Sequence, residues 1–174
     1  TFITERLRNH GYYAFTKEYI SFTADTTAGS RGVDLLMTVS DPRPTNAAQP
    51  DTTAAGPQRH TRYIFRNVYV VTDFSPGDNA GAYSFEARDT TTYNGLRILY
   101  GKDRYLRPGT ISEQCYVLPG HPYSTAAIDR TYEAMNRLAI LRYVNILTRP
   151  AGREGDNETL DAFILLSRTK KQGV

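Results

Sequence analysis

The stretch RTYEAMNRLAILRYVNI, residues 130–146, most constrains what this chain can fold into. It starts with the apolar spacing of a helix and ends with the alternation of a strand, which places Val144 and Ile146 on one face. Neither glycine nor proline separates the two patterns. Because the chain turns back within a few residues, we expect the helix and the strand to pack against one small core.

The helix before this junction has the clearest periodic pattern in the sequence. Ser124 can cap its first turn, and Glu133 and Arg137 stand four residues apart in the favourable order for an outward pair. The predicted core stripe consists of Ile128, Tyr132, Met135 and Ala139. We therefore expect Met135 to be buried and Glu133 to face solvent.

Two further elements flank this helix and strand. A short helix is predicted to begin near Pro108, with Ile111 and Cys115 inward, and to end before Pro119. The polar segment 150–159 predicts a turn. A last strand follows it and places four apolar residues on one face, namely Leu160, Ala162, Ile164 and Leu166.

The first forty residues predict a helix followed by two strands. Ile3 and Leu7 share a helix face, and Gly11 is a candidate left-handed stop. Two alternating stretches then predict a hairpin with an apolar face formed by Ile20, Phe22, Ala24, Val33, Leu35, Met37 and Val39. The proline-rich segment 42–61 has almost nothing to bury and predicts a linker.

A strand and a less regular segment lie between this linker and the short helix. Residues 63–71 are rich in β-branched and aromatic side chains and predict a strand. The sequence SPGDNAG then breaks the pattern. Two apolar pieces on either side of Gly101-Lys102-Asp103 predict an extra hairpin.

Composition excludes several classes of protein. The 174 residues suffice for one domain or two small modules, and no apolar run approaches the ~18 residues of a membrane span, so we expect a soluble chain. Its net charge of +3 is scattered, which is a weak signal for nucleic acid. Because Cys115 is the single cysteine, an internal disulfide and a CxxC motif are excluded. The first residue, Thr1, leads us to expect a piece of a longer protein.

The junction described above resembles a known module. The segment YSTAAIDRTYEAMNRLAILRYVNI resembles the POTRA domain of the BamA/TamA family of outer-membrane assembly proteins, the bacterial surface antigen family. The matching apolar positions are Leu138, Leu141, Val144 and Ile146. Ala139 stands where glycine is usual in that family. Residues 8–25 resemble the same junction in a preceding module, with Gly11 in place.

The resemblance implies an α+β fold built from POTRA-type β-α-α-β-β modules, each with a three-stranded mixed sheet backed by two helices. Residues 1–41 would be the helix-strand-strand part of a truncated module, and 42–61 the linker. Residues 62–170 would be a complete module with an inserted segment at about 72–107.

Two expectations follow for the sheets. The last strand has the strongest apolar content and, by the resemblance, lies at the centre, between the strands at 63–71 and 143–148. The truncated module is expected to be the weaker part, because an incomplete core leaves several side chains short of partners, namely Ile20, Phe22, Leu35 and Met37.

For function, the resemblance implies the periplasmic part of an outer-membrane assembly, insertion or translocation protein. Such a part receives unfolded outer-membrane polypeptides, and periplasmic or lipoprotein accessory factors, by β-strand addition. It lies on the periplasmic side of the bacterial outer membrane and precedes a C-terminal membrane β-barrel in the full-length chain. It uses no cofactor, binds no nucleic acid and is not an enzyme.

The candidate partner-binding residues lie on the edge strand and on an exposed sheet face. They are Tyr143, Asn145, Leu147, Phe163 and Leu165. Either the inserted segment or the neighbouring module covers them, or they form a surface for a partner. An open edge carries unpaired N–H and C=O groups that can accept another strand. Asn145 or its neighbour, according to register, is expected to turn its backbone outward.

A basic α+β module that binds nucleic acid is the alternative from another class. It would use Tyr63, Phe65 and Tyr69 as stacking platforms on one sheet. Steep loss of oligonucleotide binding with salt would favour it.

Catalytic and metal sites find little support in the sequence. His10, His60 and His121 lie in three segments without ligand spacing. Ser124 fits a helix cap by its position, and no motif in the sequence supplies it with a histidine partner or an oxyanion loop.

Overall fold

The computed structural model describes residues 2–26, 32–42, 59–75, 77 and 89–169. Its helices and strands in chain order are α1 (Phe2–Arg8), β1 (Ile20–Asp25), β2 (Asp34–Val39), β3 (Tyr63–Val71), β4 (Asp89–Tyr93), β5 (Leu96–Tyr100), α2 (Pro108–Glu113), α3 (Thr125–Asn136), β6 (Leu141–Glu154) and β7 (Asn157–Arg168). None of the helices in these ranges combines the length and hydropathy needed to cross a membrane.

We call the chain from β3 to β7 the second part. Its strands form a five-stranded mixed sheet in the order β4-β5-β3-β7-β6. β3 runs parallel to both β5 and β7, whereas β4 and β6 are antiparallel to their neighbours. The α+β class is therefore confirmed, but the prediction of a three-stranded sheet is wrong. The predicted trio is present, with β7 between β3 and β6, and the β4–β5 hairpin extends it on the side of β3.

This additional hairpin turns at Asn94 and Gly95, which have φ angles of 48° and 79°. Asn-Gly suits a tight hairpin turn because both positions take a positive φ. The turn predicted at Gly101-Lys102-Asp103 is wrong. Gly101 follows β5, where an added Cβ would come within 2.6 Å of the Asp73 Cβ, so a close approach of two segments explains this glycine.

The two helices of the second part back the same face of the sheet. Ile111 of α2 and Met135 of α3 are fully buried in one cluster with the inward side chains of the strands. The cluster contains the predicted face of the last strand, which is fully buried: Leu160, Ala162, Ile164 and Leu166. Burial of these apolar side chains is the main stabilising contribution to the fold.

The core stripe of α3 differs from the predicted one. Its buried residues are Thr131, Ala134 and Met135, whereas Tyr132 is 48% exposed and Ala139 lies beyond the helix. Thr131 can be buried because its hydroxyl donates to the Ala127 carbonyl at 2.8 Å and accepts the Tyr116 N–H at 2.9 Å. A satisfied threonine thus occupies the position that polarity alone would assign to solvent.

The predicted cap and ion pair of α3 are confirmed. The Ala127 N–H donates to the Ser124 hydroxyl at 3.2 Å. Glu133 and Arg137 approach to 3.7 Å with both side chains exposed, so the pair contributes little to stability.

The passage from α3 into β6 needs no left-handed residue. The Leu138 N–H donates to the Met135 carbonyl at 3.1 Å, and the Leu141 N–H donates to the Leu138 carbonyl at 2.9 Å. Ala139 has no positive φ. Two successive tight turns therefore end the helix where glycine would be usual.

We call the chain from α1 to β2 the first part. It consists of this helix and a two-stranded sheet. Gly11 has a φ of 101°, which confirms the left-handed stop after α1. β1 and β2 pair antiparallel, and within the described residues they pair with no other strand. Phe22, Leu35 and Met37 are 54%, 65% and 46% exposed, so these side chains lack partners here, as expected.

The hairpin of β6 and β7 is longer than predicted. The segment 150–159 is predicted to be a turn, but strand pairing runs through it as far as Glu154 opposite Asn157. The chain reverses at Gly155, whose φ is 61°. Most of the polar residues in this segment are therefore strand positions; Arg153 and Glu154 are exposed, whereas Thr159 is buried, and composition does not distinguish such a stretch from a loop.

Candidate functional site

The outer edge of β6 is the longest strand edge of the five-stranded sheet that no other described strand covers. β6 has 14 residues and, among the described strands, pairs with β7 alone, so it is an edge strand, as predicted. β4 forms the opposite edge and has 5 residues. Because a short edge strand offers few backbone groups to another chain, β6 is the better candidate for strand addition.

Two hydrogen bonds show how β7 orients its backbone. The Phe74 N–H donates to the Leu166 carbonyl at 3.0 Å, and the Glu158 N–H donates to the Arg62 carbonyl at 2.9 Å. Arg62 and Phe74 flank β3 in the chain. The backbone N–H and C=O groups of the even-numbered residues of β7 therefore point toward β3, and those of the odd-numbered residues point toward β6.

The register between β7 and β6 determines which residues of β6 have outward-pointing backbone groups. The residues opposite Leu166, Ile164 and Ala162 are Val144, Ile146 and Thr148. Because their partners bond away from β6, these three residues turn their own N–H and C=O groups outward. No described residue bonds to those groups. We call the outward backbone groups of Val144, Ile146 and Thr148 the open edge.

Asn145 does not belong to the open edge. It lies opposite Leu165, an odd-numbered residue of β7, so its backbone bonds inward. The same holds for Leu147, opposite Phe163. Of the two alternatives left by the sequence, the neighbours of Asn145 are therefore the outward positions.

Pro150 agrees with this assignment. It lies opposite Leu160, an even-numbered residue, so its missing N–H falls on the outward side. Proline is found in strands where no ladder donor is needed. It also ends the series of outward donors, which limits an added strand to the stretch 144–148.

The sheet face opposite the helices is covered at its centre. Phe163 and Leu165 are 9% and 2% exposed, so the prediction that they form an exposed face is corrected. They belong to a second buried cluster with Val71, Phe74 and Leu99. The Arg149 guanidinium lies 5.2 Å from the Phe163 ring centroid. These two residues therefore stabilise the sheet by packing.

The other candidate residues are only half-buried. The Tyr143 ring stacks on Phe74 with 5.7 Å between centroids, and Leu147 packs at the border of the same cluster. Asn145 lies between them on β6. Side chains of the candidate set thus flank the open edge, while the outward backbone belongs to their neighbours.

A joint between the two parts of the chain is a feature that the sequence did not predict. The Asn9 side-chain oxygen accepts the Ala126 N–H at 2.9 Å and the Ser124 hydroxyl at 3.3 Å. The Tyr63 N–H donates to the Gly11 carbonyl at 2.8 Å. These contacts link residues more than fifty positions apart, so no local pattern indicates them.

Tyrosines complete this joint. The Tyr13 ring lies 5.3 Å from Tyr63 and 4.9 Å from Tyr123, and its hydroxyl is 3.5 Å from the Thr148 hydroxyl. The Arg8 guanidinium donates to the Tyr123 hydroxyl at 3.1 Å. The joint thus reaches the side chain of one open-edge residue and leaves its backbone unpaired.

One buried thiol and one half-buried phenol have strongly shifted pKa values. Burial raises the pKa of the Cys115 thiol to about 11, and burial raises that of the Tyr105 phenol to about 12. Both groups stay neutral near pH 7, so neither Cys115 nor Tyr105 is an activated nucleophile. Among the described residues, no group of three His, Cys, Asp or Glu side chains is placed to hold a metal ion.

The aromatic residues proposed for nucleic-acid stacking do not form one platform. Phe65 is 1% exposed and packs under the helices. A bulge between Phe65 and Asn67 shifts the register of β3, so Tyr69 lies on the opposite face, stacked 5.1 Å from Phe163. The alternative of a shared stacking surface is therefore corrected.

Comparison with known proteins adds little. No protein-family model matches the chain, and no curated protein matches it. A solved structure similar to this chain is the N-terminal domain of Omp85 from the thermophilic cyanobacterium Thermosynechococcus elongatus. It has a TM-score of 0.31 and 10% sequence identity, over 86% of this chain and 77% of that chain. At this level the likeness carries no argument about fold or function.

Proposed function

We propose that this chain is a receptor part of an outer-membrane assembly or translocation protein and takes up extended polypeptides by strand addition at β6. The observation that supports the proposal most is the open edge, because three successive outward positions offer both donors and acceptors. Backbone pairing gives affinity with little dependence on side chains, which suits a receptor for many sequences.

The surroundings of the open edge favour binding over chemistry. Tyr143 and Leu147 offer half-buried apolar surface next to the edge, and an incoming strand can place alternate side chains against it. The proposed activity requires neither a cofactor nor a catalytic group. The resemblance of residues 123–146 to a POTRA module supplies the class of client, unfolded outer-membrane polypeptides, and the periplasmic location.

Amide shift mapping with a short peptide tests the proposal. The peptide should be about ten residues long and alternate apolar with polar side chains, as strands of a membrane barrel do. We expect the largest shifts at Val144, Ile146 and Thr148, and smaller ones across β7. Shifts concentrated on the helix side, between Ile111 and Tyr132, would contradict strand addition.

Added salt and a neutral peptide separate backbone pairing from electrostatic attraction. The chain carries a net charge of +3, so an acidic peptide can bind nonspecifically at low salt. Strand addition should survive 0.3 M salt and should accept a neutral peptide of the same alternation. Binding that disappears with salt would instead favour a charged surface as the receptor.

A further inference from the structure

A second candidate binding site lies where the first part of the chain meets the β6–β7 hairpin. A cavity of about 480 Å³ opens there, within the size range of small-molecule sites. None of its lining residues belongs to the open edge. The described residues that line it are Tyr12, Ala14, Phe15, Tyr19, Pro42, Arg59, His60, Thr61, Tyr63, Arg153 and Glu158.

An aromatic group forms one side of this cavity. The His60 ring lies edge-on to Phe15 at 4.9 Å and to Tyr19 at 4.8 Å between centroids. His60 is held in place because its Nε2 bonds to the Ser40 carbonyl at 2.9 Å. Phe15 is only 2% exposed. The rings are therefore fixed before any ligand arrives, which lowers the entropic cost of binding a flat group.

The charged side chains of the cavity leave one positive charge uncompensated. Arg153 lies 3.9 Å from Glu158, so these two largely neutralise each other. Arg59 has neither an ion pair nor a hydrogen bond with any described residue. Tyr12 and Tyr19 likewise have no hydroxyl partner among the described residues. Several donors without acceptors thus line one cleft.

Together these features define the chemistry of a ligand. We propose that this cleft binds a small monoanion with a flat aromatic body, its ring against the Phe15, Tyr19 and His60 side and its carboxylate on Arg59. A single negative charge fits better than a phosphate dianion, because Arg59 is the one positive charge of the described lining that the Arg153–Glu158 pair leaves uncompensated. Tyr63 lines the same cleft, where desolvation and then Glu158 raise the pKa of its phenol, which is also hydrogen-bonded with Thr61.

Three compounds with one ring and different charges test the proposal. 4-Hydroxyphenylacetate carries the carboxylate, 4-hydroxyphenylacetamide is neutral, and tyramine is a cation. We expect the carboxylate to shift the amides of Phe15, Tyr19 and His60 saturably. 4-Hydroxyphenylacetamide should bind about tenfold more weakly, and tyramine should not bind.

Variants of one arginine separate a specific contact from general attraction. Arg59→Gln should lower the affinity for 4-hydroxyphenylacetate about tenfold and remove its advantage over 4-hydroxyphenylacetamide. Arg59→Lys should keep part of that affinity. Arg142→Gln is the matched control, because Arg142 is an exposed arginine of β6 that does not line the cleft. An amide spectrum unchanged outside the site shows that each variant is folded.

Several results would overturn the proposal. These are absence of saturable shifts with the carboxylate, equal affinity for the carboxylate and the amide, and equal loss of affinity in Arg59→Gln and Arg142→Gln. Cyclohexylacetate tests the aromatic part, and binding as tight as that of 4-hydroxyphenylacetate would contradict a site built for a flat ring. None of these results bears on the open edge, so the two proposals stand or fall separately.

Discussion

The side-chain oxygen of Asn9 accepts a hydrogen bond from the backbone N–H of Ala126 at 2.9 Å, across 117 positions of the chain. Ala126 lies in the first turn of α3, where backbone N–H groups have no partner within the helix. Ser124 satisfies one of these groups and Asn9 another. The first part of the chain thus helps to cap a helix of the second.

Asn9→Ala should therefore destabilise the second part of the chain. We expect a loss of about 0.5–2 kcal/mol in the free energy of unfolding, the usual cost of removing a helix cap. Urea unfolding followed by circular dichroism measures it. Asn136→Ala is the control, because Asn136 lies at the exposed far end of α3 and donates only to the Tyr132 carbonyl. Equal effects would show that the long-range cap is not important for stability.

Met135→Ala and Tyr132→Ala test the corrected core stripe. Met135 is fully buried, so its truncation should cost about 2–5 kcal/mol. Tyr132 is 48% exposed, so its truncation should cost far less. Thermal or chemical unfolding of both variants gives the comparison. A larger loss for Tyr132→Ala would restore the stripe expected from the sequence.

Alkaline pH should weaken the fold through Cys115. Burial raises its pKa from 9.0 to about 11, so the folded thiol keeps its proton where the unfolded thiol loses it. Stability is therefore fully present below pH 9 and falls as the pH rises from 9 to about 11. The unfolding free energy of Cys115→Ala should fall less steeply over this window. Identical slopes for parent and variant would mean that the thiol is not buried.

Hydrogen exchange should divide the chain into two levels of protection. The β1–β2 hairpin has exposed side chains on both strands and no further strand beside it in the described part of the chain, and a lone hairpin is marginally stable. Amides of Phe22 and Met37 should exchange faster than those of Ile164 and Leu166, whose side chains are fully buried in the central part of β7. Equal protection in a monomer would contradict the expected weakness of the first part.

The sequence predicts the local elements of this chain better than its long-range contacts. The strands β1, β2, β6 and β7 follow from alternation, β3 follows from its β-branched and aromatic content, and Gly11 and Ser124 act as predicted. Thr131 is missed because its burial depends on a hydrogen bond from Tyr116, which no periodic pattern contains. Asn9 is missed for the same reason.

The candidate site shows the same limit. An edge strand near 143–148 is inferred from the apolar content of the last strand and from the family resemblance, but the direction of each backbone group depends on the register between β6 and β7. That register excludes Asn145 and selects Thr148. The burial of Phe163 and Leu165 depends on packing against residues from other strands. Alternation alone therefore predicts that they share the sheet face opposite the helices, but not that this face is buried.

Thr148→Pro is the substitution that removes an outward donor with the least change to the core. Thr148 is half-buried, its N–H lies on the open edge, and Pro150 already occupies the next outward position. We expect the variant to keep its fold. Thr148→Val is the matched control, because it removes the same hydroxyl and keeps the N–H. Asn145→Pro should lower the melting temperature more, since the Asn145 N–H bonds inward.

The affinity of the alternating peptide for Thr148→Pro, compared with Thr148→Val, tests strand addition at β6 most directly. Titration followed by amide shifts or calorimetry gives both dissociation constants. We expect Thr148→Val to bind like the parent, and Thr148→Pro, still folded, to bind at least about tenfold more weakly. Parent-like affinity of a folded Thr148→Pro variant would contradict strand addition at the open edge.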